Sequence, residues 1–254
     1  MTASELLFLA AAGFGAGLVN GVAGGGSMVS FPALLAVGVP SLTANVTSTV
    51  GIWPGYLGGV AGFRRVIAAQ RDRLRPLAVM ALAGAVAGSS LLLVTSEDAF
   101  DALAPWLVLA AVGLFAAQPL LARRLAAHGP AAADVRAAHT ALRLGGVFAA
   151  SVYGAYFGAG LGVLLLAVLG ITLPGRLTDL NGIRTVLALL VNSIAVVVFA
   201  VAAPVEWAAA GTMAAASLVG GYVGAKTAAR LPVQVFRGVV IALGLAAFVG
   251  LLVT

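Results

Sequence analysis

Apolar positions along the chain gather into ten runs, separated by short polar or glycine- and proline-rich breaks. They cover about residues 4–22, 28–39, 43–63, 77–95, 106–121, 144–157, 162–173, 180–203, 207–225 and 237–253. The runs are continuous and do not alternate at period two, which argues for helices and against the strands of a barrel. A helix needs about 20 apolar residues to cross a bilayer. The runs 28–39 and 162–173 fall short of that. Each follows a glycine-rich break, Gly24-Gly25-Gly26-Ser27 in one case and Gly158-Ala159-Gly160-Leu161-Gly162 in the other. Interrupted segments at corresponding places of two halves are the pattern of a binding site built between broken helices.

The halves repeat. Gly26 and Gly158 are 132 apart, as are Gly38 and Gly170. After an insertion the spacing becomes 136, for Asn45/Asn181, Thr49/Thr185, Gly84/Gly220, Gly88/Gly224 and Phe100/Phe236. One spacing held over several segments indicates a duplication of about five segments each. The expected division is an N-terminal repeat over 1–121, a cytoplasmic linker over 122–143 and a C-terminal repeat over 144–254, all within one membrane domain.

Composition agrees with the pattern. The chain of 254 residues is 62% hydrophobic and 9% charged, against about 25% charged in a soluble domain. An all-α integral membrane protein follows, because only helices or closed barrels satisfy the backbone in lipid. The net charge of +6 does not indicate nucleic acid, since the basic residues lie in short loops between apolar runs. With the loops at 64–75 and 122–143 in the cytoplasm and the short runs crossing, all 14 Lys and Arg lie at or near the inner face. Glu5, Glu97, Asp98, Asp101 and Glu206 then lie outside, as the positive-inside rule asks. Repeat-equivalent loops carry opposite charge, acidic at 97–101 and basic at 226–237. That is expected of two inverted repeats, with both termini outside the inner (cytoplasmic) membrane.

Candidate chemistry sits at the breaks and at the starts of the third and eighth runs. An unwound stretch exposes N–H and C=O groups, and the helix that follows offers about half a positive charge at its N-terminus. Gly24, Gly25, Gly26, Ser27, Gly158 and Gly160 are therefore substrate-site candidates. Close helix packing through Gly13, Gly17 and Gly21, or through Gly154, Gly158 and Gly162, is the competing role. Asn45 and Thr49 share a helix face, as do Asn181 and Thr185, with Arg184 beside them. Neutral amides and hydroxyls with one arginine suit an oxyanion. N-capping by Thr43 or Thr178 and interhelical glue by the amides compete with that. Arg184 is either a ligand or a snorkelling anchor, depending on its depth. Tyr56 is a candidate cavity wall. Asn20 and Asn192 read as helix–helix hydrogen bonds, and Trp53-Pro54 as a kink with aromatic packing. Trp106 and Trp207 fit an interfacial belt. His128 and His139 are a weak pair for a metal. The chain has no Cys, no buried carboxylate pair and no G-x-x-x-x-G-K-[ST] phosphate loop, so neither enzymatic chemistry nor ATP hydrolysis is expected.

The order Ala16-Gly17-x-x-Asn20-Gly21-x-x-Gly24-Gly25-Gly26-Ser27, then Phe31-Pro32-Ala33-Leu34, Thr43-Ala44-Asn45-x-Thr47 and Trp53-Pro54-Gly55-Tyr56, resembles the sulfite exporter TauE/SafE family. The glycine-rich start of the second half is similar too, although Ala159 and Leu161 interrupt its break. The resemblance implies a membrane transporter of sulfite, organosulfonates or related small anions, and it carries over no functional residue. The expected function is secondary transport of small anions by alternating access, with a passive anion channel of the same fold and a non-transporting assembly protein as the alternatives. The partners implied are a small anion and the lipid bilayer, with a coupling ion and a homodimer left open. No cofactor is expected.

Overall fold

The computed structural model describes residues 1–22, 24–127, 135–227 and 233–253. Among them are ten helices and no strand. They are α1 (Ala3–Val22), α2 (Ser27–Ala36), α3 (Ser41–Ala68), α4 (Arg71–Val94), α5 (Glu97–Ala127), α6 (Val135–Tyr156), α7 (Leu161–Thr172), α8 (Leu177–Ala202), α9 (Trp207–Thr227) and α10 (Val233–Val253).

Each apolar run becomes one helix, and α2 and α7 are the short ones, with 10 and 12 residues. The longer helices reach past their apolar runs. The basic stretch 64–75 is mostly helix, because α3 continues to Ala68 and α4 starts at Arg71. Arginine and leucine are good helix formers, so charge does not end a helix. The acidic trio is likewise not a loop. Glu97, Asp98 and Asp101 lie in the first turns of α5, where carboxylates favour the helix dipole. The expected linker is helical to Ala127 and again from Val135. His128 and Gly129-Pro130 within it lie outside the described residues.

Five helices are long and apolar enough to cross a bilayer: α1, α4, α5 over Glu97–Ala117, α8 and α9. The 28-residue α3 is not among them. It carries Ser41, Thr43, Asn45, Thr47, Ser48 and Thr49, and every one is buried. These side chains point into the protein: Ser48 meets Ser30 of α2, and Asn45 reaches the Tyr156 carbonyl at the end of α6.

The helix starts repeat at one spacing through the later part of each half. Residues 41 and 177, 71 and 207, and 97 and 233 are each 136 apart. Around the breaks the register differs from the one expected. Gly24 and Gly158, 134 apart, each follow the end of a helix by two residues and share a left-handed backbone, with φ of 79° and 77°. Gly24, not Gly26, is thus the counterpart of Gly158. In a run of three glycines, identity alone does not show which one makes the turn.

Neighbour relations repeat as well. α9 lies along α1 and α3, and α4 lies along α6 and α8. α2 touches α1, α3 and α10, and α7 touches α6, α8 and α5. α3 meets α8 and α5 meets α10. Replacing each helix by its counterpart in the other half maps these pairs onto one another, whereas the contact of α3 with α5 has no comparable equivalent between α8 and α10 among the described residues. α4 and α9 are exchanged: each packs mainly with helices of the opposite half.

Glycines make the exchanged contacts close. A side chain on Gly17 of α1 would strike the Ser217 carbonyl of α9 and stand 2.8 Å from the Gly221 nitrogen. Gly220 and Gly224 of α9 face the backbone of Phe14 and Leu18 on α1. Their counterparts Gly84 and Gly88 on α4 face Phe148 and Val152 on α6. In lipid such backbone approach drives helix association, since apolar burial offers little. Gly17→Leu is therefore expected to destabilise the protein by about 1–3 kcal/mol or more, the range for overpacking. Gly113→Leu on α5, with nothing within 4 Å of the new Cβ, should leave stability unchanged. Thermal melting of both variants in detergent checks the contrast.

Candidate functional site

The two breaks are built alike. After α1 the Gly24 N–H donates to the Val19 carbonyl at 2.9 Å, and the left-handed turn at Gly24 directs the chain off the helix. After α6 the chain turns at Gly158, and again at Gly160 with φ of 86°. α2 and α7 then start at Ser27 and Leu161, each behind a glycine N-cap that has no side chain to cap the helix. These N-terminal amides hold the positive ends of two helix dipoles.

The breaks cross each other. A Cβ on Gly162 would stand 2.6 Å from the Gly24 Cα. A Cβ on Gly158 would stand 3.3 Å from Ser27 Oγ and 3.7 Å from Thr49 Oγ1. No side chain fits between the two backbones.

Arg184 of α8 lies at this crossing and is 1% exposed. Its Nη2 donates to the Asn20 carbonyl at 3.0 Å. Its Nη1 has no hydrogen-bond partner and occupies the place a Gly24 side chain would take. No carboxylate pairs with it: the one ion pair among the described residues is Arg176–Asp179. An anchor would reach a headgroup region, whereas this guanidinium is enclosed by helices, so the snorkelling role does not describe it. Asn20, 4% exposed, accepts the Gly26 N–H at its Oδ1, 2.7 Å away, and its Nδ2 is buried without a partner. The Tyr56 hydroxyl faces Asn20, Asn192 and Arg184.

The other candidates divide. Ser27 and Thr49 are buried at the crossing beside Gly158. Asn45 is a structural tie, donating from Nδ2 to the Tyr156 carbonyl at the end of α6, 2.9 Å away. Thr49 donates to the Asn45 carbonyl at 3.0 Å, and Thr185 donates to the Asn181 carbonyl at 2.7 Å, the same bond in each half. The Asn181 Oδ1 is buried and unpaired. Gly25 presses against the ring of Phe115, and Gly160 faces Ala111. Trp53 donates to Ser193 Oγ at 2.9 Å, which suits its packing role. Trp106 and Trp207 stand exposed.

Sequence reasoning left Asn20 as helix glue, placed Ser48 in the polar cluster that opens the third run, and passed over Phe115 and Ser30. The Ser30 and Ser48 hydroxyls are 2.6 Å apart and join α2 to α3. Asn20 had a local signal, standing six residues before Gly26 in the glycine run. Phe115 had none, because a phenylalanine in an apolar run marks nothing.

The crossing is closed. Two open apolar grooves mark the surface, one along Leu57, Leu218 and Tyr222 and one along Leu91, Phe148 and Tyr153. Arg184 lines neither of them.

Comparison with known proteins places this architecture. The family model described as Sulfite exporter TauE/SafE matches residues 9–251. A "Probable membrane transporter protein ORF9" from Sinorhizobium sp. is 34% identical over 115 residues, which cover 45% of this chain and 44% of that protein. The chain thus aligns with under half the length of that relative. No solved structure matches.

Gly24→Ala and Gly38→Ala both force alanine into a left-handed backbone, at φ of 79° and 81°. Only the first also meets a neighbour, since nothing lies within 4 Å at Gly38. Gly38→Ala should cost about 1–2 kcal/mol of strain. Gly24→Ala should cost more, because Arg184 must move. Unfolding in detergent reads the difference.

Proposed function

The chain belongs to the sulfite exporter TauE/SafE family, a family of multi-pass membrane transporters, and we propose that it is a secondary transporter of small anions, with sulfite, organosulfonates or related sulfur oxyanions as the substrates. The observation that carries this is Arg184: a guanidinium 1% exposed, one nitrogen unpartnered, with no acid beside it. A charge at the centre of a bilayer costs about 2.5–3.5 kcal/mol or more. Such a group persists where something else neutralises it for part of its working cycle. An anion at the crossing of the two breaks would do so, and the uncapped N-termini of α2 and α7 would add favourable dipoles.

The halves supply the route. We infer that they are inverted repeats, with both termini outside the inner membrane and the anion held where the repeats meet. Support comes from the helix starts repeating at a spacing of 136, from the odd number of helices in each half and from the opposite charge of equivalent segments. An odd number of crossings starts the second half on the opposite face. The closed crossing suits an occluded step, from which small relative movements of the two halves would open Arg184 to one side and then the other. Gly24, Gly26, Ser27, Thr49, Tyr56, Gly158 and Arg184 form the first ring of this site. Gly25, Asn45, Gly160, Asn181 and Thr185 support it.

Purified protein in liposomes, offered sulfite, sulfonates, sulfate and carboxylates, tests the proposal. Counterflow of a labelled sulfur oxyanion against its gradient is expected, and flux without counterflow would make the protein a channel. Arg184→Gln should lower exchange at least about tenfold, as loss of a charge-assisted hydrogen bond implies, with the melting point retained. Unchanged exchange would remove Arg184 from the site. Gly25→Val, which drives a side chain into Phe115, should abolish exchange.

A further inference from the structure

Two buried donors at the crossing make no hydrogen bond, Arg184 Nη1 and Asn20 Nδ2, although the Tyr56 hydroxyl faces both residues. Both lie against the same three-glycine loop. The Arg184 nitrogen fills the space a Gly24 side chain would take, and the Asn20 nitrogen stands 2.6 Å from where a Gly26 Cβ would be. Their residues are 1% and 4% exposed. Each residue is also tied by a hydrogen bond, Arg184 Nη2 to the Asn20 carbonyl and Asn20 Oδ1 to the Gly26 N–H. The two donors are therefore held against a loop without side chains, in a closed crossing that must open before a ligand reaches them.

We propose that this site selects its substrate by charge, accepting singly negative tetrahedral anions on Arg184 Nη1 and Asn20 Nδ2 and rejecting doubly negative ones of the same shape. The proposal rests on the anion-transport function above and sharpens its substrate class. The chain has eight carboxylates: Glu5, Asp72, Glu97, Asp98, Asp101, Asp134, Asp179 and Glu206. Asp134 lies outside the described residues, and none of the others touches the guanidinium. The local balance is one positive charge, which a single negative charge cancels. Helix dipoles strengthen the attraction but add no net charge. Stripping water from an ion costs in proportion to the square of its charge, while attraction to fixed donors grows only in proportion to the charge. Doubling the charge of a ligand of constant size raises the penalty about fourfold and the reward about twofold. A neutral ligand fails differently, because it leaves the guanidinium unneutralised.

Dimethyl sulfone, methanesulfonate and sulfate share a tetrahedral sulfur and carry zero, one and two negative charges. In liposomes and in thermal-shift titrations, methanesulfonate should exchange and stabilise the protein. Sulfate should be weaker by about a hundredfold, as an unneutralised buried charge implies, and dimethyl sulfone should do neither. Sulfate matching methanesulfonate would overturn the charge selection and leave anion transport intact. If no anion exchanged or stabilised the protein, the transport function itself would fall. Asn20→Asp separates ligation from folding. Its first oxygen still accepts the Gly26 N–H, and its second puts a built-in negative charge on the glycine loop that Arg184 packs against. Methanesulfonate exchange should be lost while the melting point holds or rises. Normal exchange, or a fallen melting point from an uncompensated buried carboxylate, would remove Asn20 from the ligand set.

Discussion

Enclosing an arginine inside a membrane protein is costly unless its five N–H groups and its charge are all answered. Here the answer is partial. One nitrogen is held by a main-chain carbonyl 164 residues away in sequence, and another is left free beside a loop without side chains. Much of the surrounding architecture serves to make that arrangement possible. The glycines of the first break allow the second to cross at backbone distance, and the crossing brings the end of α1 to the middle of the fold. The polar face of α3 is turned inward around it. The same backbone that lets the helices approach also removes the groups that would have satisfied the guanidinium.

Two kinds of glycine do this. At Gly24, Gly158 and Gly160 the backbone adopts a conformation that other residues resist. At Gly17, Gly88 and Gly221 the conformation is ordinary helix, and the need is for contact. The first kind ends helices and opens the breaks. The second clamps α4 and α9 into the opposite halves. The breaks are thus framed by helices that meet at backbone distance, with the short α2 and α7 between them.

The sequence showed much of this at the level of elements. Ten apolar runs became ten helices, and the two short runs became the two short helices, because hydrophobic run length follows directly from the thickness of lipid. Helix ends were less visible. Apolar runs report the part within the bilayer, and charged helix formers carry α4 and α5 beyond it. The glycine register was off by two, since in Gly24-Gly25-Gly26 only geometry distinguishes the turning residue. Arg184 was visible as a lone arginine near polar neighbours, but its depth and its attachment to Asn20 were not. They arise from a hydrogen bond between α8 and the end of α1, which no local spacing encodes.

The exchange of α4 and α9 has a consequence for biogenesis. When the first half leaves the ribosome, α1 and α3 have their glycine faces uncovered, and the helix that fits them is the ninth of ten to be made. The contacts of α1 and α3 with α9 therefore close late, only after Trp207–Thr227 has been made. Until then those faces stand open to lipid or to the insertion machinery, and to the same faces on a neighbouring nascent copy.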